Sequence, residues 1–162
     1  MKQLLKQNFF NFTVNQAFEQ VISHCKTIRR KDQHGTWITN DVKKAYTDLY
    51  KHGFAQSAEV WKNGELLGGL YGVKLGNIFF GESMFSKQSN ASKYALIKFN
   101  EYLKSTGVEL IDCQIYTEHL ERFGARMISR KAFTHKLKEH ITLLNGEHEN
   151  LVRVNGHSKS YR

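Results

Sequence analysis

Proline is absent from this 162-residue chain, against a usual share of about 5%, so Gly and Asn have to make every reversal and their positions mark the joints. Cysteine occurs only twice, at Cys25 and Cys113, too few for a disulfide framework. No apolar leader with a cleavage site follows Met1, so a reducing cytoplasm is the expected compartment and both thiols are expected to be buried. Long hydrophobic runs are missing as well. Each apolar stretch is broken within a few residues by Lys, Asn or Gly, far short of the ~20 residues that a membrane-spanning helix needs. Acidic residues are in deficit, fifteen Asp and Glu against twenty-four Lys and Arg, for a net charge of +9. That balance favours a polyanionic partner, nucleic acid or an acidic membrane surface, without identifying one.

What is present is core material: 40% of the residues are hydrophobic and 12% aromatic. That excludes disorder throughout, and the length suits one domain. The common signatures of nucleotide, hydrolase and metalloprotease sites do not occur: no Gly-x-Ser-x-Gly elbow, P-loop, Rossmann glycine pattern or His-Glu-x-x-His. His24-Cys25 has no second Cys/His cluster at ligand spacing, so no metal site is expected.

Apolar residues from Ala17 to Ile28 keep helical spacing and predict a helix over about 16–28, with Asn15 as its cap. A basic loop, Arg29-Arg30-Lys31, follows. A second helix begins after Thr39, with Val42, Ala45, Tyr46 and Leu49 on one face and Gly53 at its stop. The period then changes. Ser57–Trp61, Leu66–Val73 and Ile78–Ser83 read as strands joined by the tight turns Asn63-Gly64 and Gly76-Asn77, an antiparallel meander. Helix returns from Asn90 to Thr106, with Gly107 as its stop, and a strand Val108–Gln114 follows at once. A short helix Glu118–Phe123, a possible helix from Arg130 and a strand-like Ile141–Leu144 complete the pattern. The expected fold is α+β, a single domain whose mixed, largely antiparallel sheet is covered by helices. It would span residues 1–144, with 145–162 a basic and mobile tail.

Two stretches carry chemistry. Phe79-Phe80-Gly81-Glu82-Ser83-Met84-Phe85-Ser86 sets a carboxylate and hydroxyls among large apolar side chains at a strand end. Glu82 is either an outward-facing edge residue or a half-desolvated carboxylate able to hold an ammonium group or act as a base. In Ile111-Asp112-Cys113-Gln114, Asp112 and Gln114 stand at i and i+2, on one side of a strand. They are either a satisfied polar pair or a hydrogen-bond relay. His119 is an acid–base candidate or a surface histidine. Gly68, Gly69, Gly72, Gly76 and Gly81 crowd the strand region, where they serve turns, bulges or a close backbone approach.

Together with Gly35-Thr36-Trp37-Ile38-Thr39, Glu59-Val60-Trp61, Gly68-Gly69-Leu70-Tyr71-Gly72-Val73 and Asn90-Ala91-Ser92-Lys93, these stretches resemble the leucyl/phenylalanyl-tRNA–protein transferases. The match is ordered and runs from about Phe10 to Leu137. The resemblance implies a fold like that of the Gcn5-related acetyltransferases. It also implies transfer of Leu or Phe, with Met a third candidate, from aminoacyl-tRNA to a protein's N-terminal Arg or Lys, which marks the product for N-end-rule degradation. By position, it implies that Asp112 and Gln114 relay a proton from the acceptor's α-amine, and that Glu82 is a polar pocket residue. Leu70, Phe79, Met84, Leu96, Phe99, Leu103 and Ile111 would form the pocket for the transferred side chain. Trp61 would either line the same cleft or sit in the core, and Thr117 would line the cleft, standing where many members carry Asn. Glu121-Arg122-Phe123 replaces a usual Ser-Leu pair.

Aminoacyl-tRNA is the expected co-substrate, with no other cofactor. Lys26, Arg29, Arg30, Lys31, Arg126, Arg130, Lys131, Lys136 and Lys138 are expected to hold its phosphates. The family normally opens with a segment carrying a Phe-Pro-Trp-Phe motif that helps bind the terminal adenosine. The chain reads as a short form without it, with a partner as one way to complete the tRNA site. Two other readings stand beside this one: a non-catalytic module binding tRNA or basic N-termini, and an acyl-CoA-dependent N-acyltransferase. The second would need a Gln/Arg-x-x-Gly-x-Gly/Ala loop after a strand, and none is found.

Overall fold

The computed structural model describes residues 9–28 and 36–141. The loop Arg29-Arg30-Lys31 and the tail from Asn145 lie outside the described residues. Five strands, β1 (Asn11–Val14), β2 (Ala55–Lys62), β3 (Glu65–Leu75), β4 (Ile78–Ser86) and β5 (Leu110–Asp112), form one sheet in that spatial order. The first four pair antiparallel and β5 joins β4 in parallel. The helices are α1 (Phe18–Thr27), α2 (Asn40–Lys51), α3 (Ala91–Ser105), α4 (Glu118–Glu121) and α5 (Arg130–Ile141). None of the described helices is long and apolar enough to cross a membrane.

Both faces of the sheet are covered. On one, α3 packs Tyr94, Ala95, Phe99 and Leu103 against Ala58, Val60, Leu70 and Phe79. On the other, Phe18, Val21, Ile22 and Cys25 of α1 meet Ala55, Tyr71 and Phe85, with Val42, Tyr46 and Tyr50 of α2 alongside. The period-2 alternation of the strands sends successive side chains to these two cores.

The turns follow their residues. Asn63 (φ 50°) and Gly64 (φ 79°) are both left-handed, as a two-residue hairpin of the primed type demands. Thr39 caps α2, its Oγ1 accepting the Val42 N–H at 3.2 Å. Gly107 (φ 81°) closes α3: its N–H reaches the Lys104 carbonyl at 3.3 Å, and Val108 N–H the Leu103 carbonyl at 3.0 Å. That pair of bonds is a Schellman stop, and Gly53 ends α2 with the same pair.

Four sequence expectations are corrected. The edge strand β1 carried too short a pattern to register. Helix α1 starts at Phe18, not at about 16, and Asn15 does not cap it. Instead Asn15 is left-handed (φ 58°), its Oδ1 accepts the Ser57 N–H at 2.8 Å and its carbonyl the Tyr50 hydroxyl at 2.8 Å. A carboxylate from across the sheet holds the approach to the helix instead: fully buried Glu59 accepts the N–H groups of Gln16 and Ala17, which precede α1, at 3.4 Å, the Thr13 hydroxyl at 2.7 Å and the Ser57 hydroxyl. Strand β5 has three residues in place of seven, because α3's Schellman stop takes Val108 and a turn at Asp112–Gln114 ends the pairing. Ile141 is the last residue of α5 rather than the first of a strand, while 142–144 lie outside the described residues.

Candidate active site

The site exists because β4 outruns β5. The two pair only from Ile78↔Leu110 to Phe80↔Asp112, yet β4 continues to Ser86, so from Gly81 onward no described strand covers its outer edge. A cleft of about 580 Å³ opens there, within the usual range of small-ligand sites.

Next to the gap, the β3–β4 register slips. Tyr71 faces Ser83 and Gly72 faces Gly81, leaving Glu82 with no residue opposite. This is a β-bulge, a device that re-aims a side chain. Gly72 makes room for it. A Cβ there would stand 2.1 Å from the Phe80 carbonyl oxygen and 2.5 Å from the Phe79 ring. Glu82 lines the cleft, and the hydroxyl of Tyr46, from α2, donates to its carboxylate. Burial, that hydrogen bond and the negative charge of Glu82 together push the Tyr46 hydroxyl well above its ordinary pKa. Tyr46 is itself held edge-on between Trp37 (6.3 Å) and Tyr71 (5.2 Å), and Trp37, 43% exposed, lines the cleft.

Of the expected pocket residues, Leu70, Phe79, Met84, Leu96, Phe99, Leu103, Ile111 and Thr117 all line this cleft. Phe79 and Phe99 meet edge to face at 5.0 Å. Thr117 has a second task, its Oγ1 accepting the Leu120 N–H at 3.2 Å to cap α4. Trp61 is a correction. It stands outside the cleft among the residues packed under α1, its Nε1 donating to Thr13 Oγ1 at 2.8 Å. Its place in β2, next to the edge strand β1 and far along the sheet order from β5, keeps it away from the gap.

Asp112 and Gln114 are a second correction. They do not stand side by side on one strand face. Asp112 ends β5, Gln114 is left-handed (φ 63°), and Asp112 Oδ1 accepts the backbone N–H of Gln114 at 2.8 Å. Gln114 lines the cleft while Asp112 supports the turn from behind. Cys113, between them, also lines it. Burial and the Asp112 charge push its thiol pKa up, which makes it a poor nucleophile. Among the described residues no group of three His, Cys, Asp or Glu could hold a metal ion.

Sequence reasoning missed Trp37 and Tyr46 as site residues. Tyr46 fell on the apolar face of α2 and read as core, and Trp37 stood next to a loop. The expected phosphate-binding residues divide. Arg126 precedes α5 and Arg130, Lys131, Lys136 and Lys138 lie on it. Lys26 is on α1, bonded to Asn40 Oδ1, and Arg29, Arg30 and Lys31 lie outside the described residues.

The model of the leucyl/phenylalanyl-tRNA protein transferase family matches residues 1–138. The chain is 50% identical over 138 residues to the leucyl/phenylalanyl-tRNA–protein transferase of Flavobacterium johnsoniae, a match covering 85% of this chain and 65% of that one. It is likewise 50% identical over 141 residues to the enzyme of that name from Syntrophus aciditrophicus, covering 87% and 59%. The chain thus spans under two thirds of the length of these curated relatives. Among solved structures, it is similar to an aminoglycoside acetyltransferase from an uncultured soil metagenomic sample (TM-score 0.54, 11% identity, 76% and 94% of the two chains covered). A Staphylococcus aureus acetyltransferase of the Gcn5-related family is similar too (TM-score 0.51, 16% identity, 74% and 93% covered). At these identities the likeness is one of fold, the mixed α+β fold expected above.

Proposed function

Because the chain belongs to the leucyl/phenylalanyl-tRNA protein transferase family, we propose that it transfers Leu or Phe from aminoacyl-tRNA to the N-terminal Arg or Lys of a protein. The observation that carries this reading is the apolar cleft of about 580 Å³ with Glu82 and Gln114 in its wall. Burying a Leu or Phe side chain among Leu70, Met84, Leu96 and Phe99 gains about 1.5–3 kcal/mol, whereas a charged side chain would lose its hydration without compensation.

The chemistry asks little of the protein, since an aminoacyl ester is already activated and no further cofactor is called for. The acceptor's α-amine nitrogen bonds to the ester carbonyl carbon, the bond from that carbon to the ribose oxygen breaks, and the proton lost by the amine ends on the ribose oxygen. Positioning supplies most of the rate. Gln114 offers its side-chain carbonyl oxygen to the amine's proton, Asp112 holds Gln114 in its turn, and Glu82, steadied by Tyr46, attracts the ammonium form of the acceptor before deprotonation. Arg126 and the cations of α5 supply phosphate contacts for the tRNA. Such a reaction belongs in the cytoplasm, where charged tRNA is found, and its product enters N-end-rule degradation.

The test is transfer of labelled Leu and Phe from charged tRNA to a peptide beginning with Arg, by the purified chain at low salt. Transfer is the expected result. A folded chain that binds charged tRNA and transfers nothing, alone or with a partner supplied from extract, would overturn the reading in favour of a binding module.

A further inference from the structure

The segment that joins β5 to α5, residues 113–129, borders the cleft and has hollow space on both of its sides. Ile115, Thr117 and Leu120 line the cleft already described. On the other side Leu120, Phe123, Gly124 and Ala125 line a second cavity, of about 770 Å³, against β5 and the C-terminal half of α3. A stretch with a cavity to either side has room to shift without breaking into a close-packed core. The bonds that shape residues 115–125 run within them. Thr117 Oγ1 accepts the Leu120 N–H at 3.2 Å, and the Tyr116 hydroxyl donates to Glu121 Oε2 at 2.8 Å. The Gly124 N–H reaches the Glu121 carbonyl at 2.8 Å and the Ala125 N–H the Leu120 carbonyl at 3.1 Å. The stretch is thus a small unit able to move as one body. Left-handed residues mark its two ends: Gln114 (φ 63°), pinned by Asp112, and Gly124 (φ 94°), where a Cβ would meet nothing within 4 Å.

Apolar surface at the rim of the cleft is left in water. Ile115 lines the cleft and is 69% exposed, and Trp37, which lines it too, is 43% exposed. The two come from different parts of the chain, Ile115 from the stretch after β5 and Trp37 from the stretch before α2. Exposed apolar side chains on the rim of a ligand site mark surface that a bound state gains by burying. We propose that residues 115–125 form a lid that closes over the loaded cleft, bringing Ile115 toward Trp37, and that the closed lid keeps water from the ester. The inference rests on the reading of the cleft as the aminoacyl site.

The chemistry gives such a lid a task. Water competes with the amine: its oxygen bonds to the ester carbonyl carbon, the bond from that carbon to the ribose oxygen breaks, and the ribose oxygen takes a proton from the water. The products are free amino acid and uncharged tRNA, and the activated ester is lost. Water far outnumbers any acceptor amine, so a site that only held the ester in place would lose much of it to hydrolysis. Apolar side chains drawn over the ester, Ile115 and Leu120 from the lid, thin the water around it and leave the field to the amine.

The experiment is hydrogen exchange of the chain with and without an adenosine that carries phenylalanine through an amide in place of the ester, with calorimetry on the same samples to establish binding. The amides of Phe123, Gly124 and Ala125 report closure, because those residues line the second cavity and not the first, so contact with the analogue does not protect them directly. They are expected to exchange about ten-fold more slowly with the analogue bound, while the hairpin at Asn63-Gly64 does not change. The second arm uses charged tRNA and a peptide beginning with Arg. Ile115 is exposed, so Ile115→Ala keeps the fold, and it should raise enzyme-dependent hydrolysis relative to transfer about ten-fold, whereas a loss of fit alone lowers both together. Binding of the analogue without protection at 123–125, or an unchanged ratio of hydrolysis to transfer in Ile115→Ala, would overturn the lid. Failure of the analogue to bind would overturn the aminoacyl reading of the cleft, and the lid with it.

Discussion

Asp112 Oδ1 accepts the backbone N–H of Gln114 at 2.8 Å, and through that bond a strand-end carboxylate fixes a residue of the cleft wall in a left-handed turn. The contact is to the main chain of Gln114, so the role it gives Asp112 is to set direction rather than to pass a proton through the side chain. Asp112→Ala removes the acceptor and frees the turn, and kcat for transfer should fall about 10²-fold, the lower end of a positioned proton acceptor's contribution. Asp112→Asn keeps an oxygen at the same place and should stay within about three-fold of the unaltered rate. Rates for the two variants, with tRNA affinity measured alongside and expected unchanged, decide the matter. Equal large losses in both would mean that the negative charge itself takes part.

A second prediction concerns pH. Tyr46 has its pKa raised by burial, by the hydrogen bond to Glu82 and by that residue's charge. The folded chain therefore holds the phenol proton more tightly than the unfolded chain, whose tyrosines titrate near 10. Stability from this group is complete below about pH 10 and is lost as pH rises beyond it toward the folded pKa. Lysines titrate in the same range, so the measurement is a difference. Above pH 10 the melting temperature of the unaltered chain should fall more steeply than that of Tyr46→Phe, and parallel curves would show that the Tyr46–Glu82 contact contributes nothing.

Buried Glu59 invites a stability test away from the cleft. Its carboxylate gathers two hydroxyls and the N–H groups of Gln16 and Ala17, just ahead of α1. Hydrogen bonds to a charged group contribute about 1.5–3 kcal/mol each, and leaving their donors buried and unpaired is costly. Glu59→Ala should lower unfolding free energy by about 3 kcal/mol in denaturant melts. A loss under about 0.5 kcal/mol would mean that water replaces the carboxylate.

Much of this architecture was legible in the chain. Helix stops at Gly53 and Gly107 and the turns at Asn63-Gly64 and Gly76-Asn77 were readable because each depends on one or two residues with a specific backbone need. The apolar half of the cleft was legible through the family resemblance. What could not be read was set by contacts between distant segments. The turn into α1 is held by Glu59, more than forty positions away, while the local cap candidate Asn15 bonds Ser57 and Tyr50 instead. The bulge that singles out Glu82 arises from the register of two strands. Tyr46 obeyed the helical apolar period, so nothing local distinguished a residue that touches Glu82 from one that only packs. Asp112 and Gln114 looked like neighbours on a strand face because nothing in the sequence signals that Gln114 adopts a left-handed turn, a conformation rare for its residue type.

The size of the cleft supplies the last prediction. Leu96 is an apolar, half-buried residue on the α3 side of the cavity, so replacing it by another apolar residue changes volume more than chemistry. Leu96→Phe narrows the space available to a transferred ring while leaving room for a branched aliphatic chain, and the ratio of Phe to Leu transfer, as kcat/KM, should drop by about ten-fold. Phe99 is a different case. It is 1% exposed and packed on Phe79, so Phe99→Ala should cost about 3–5 kcal/mol of stability and its kinetics would mix pocket and fold. Leu96→Phe separates the two: a melting temperature close to that of the unaltered chain with a changed Phe to Leu ratio assigns the effect to the pocket. An unchanged ratio in a folded protein would mean that the transferred side chain does not reach α3 and that the cleft holds some other part of the substrate.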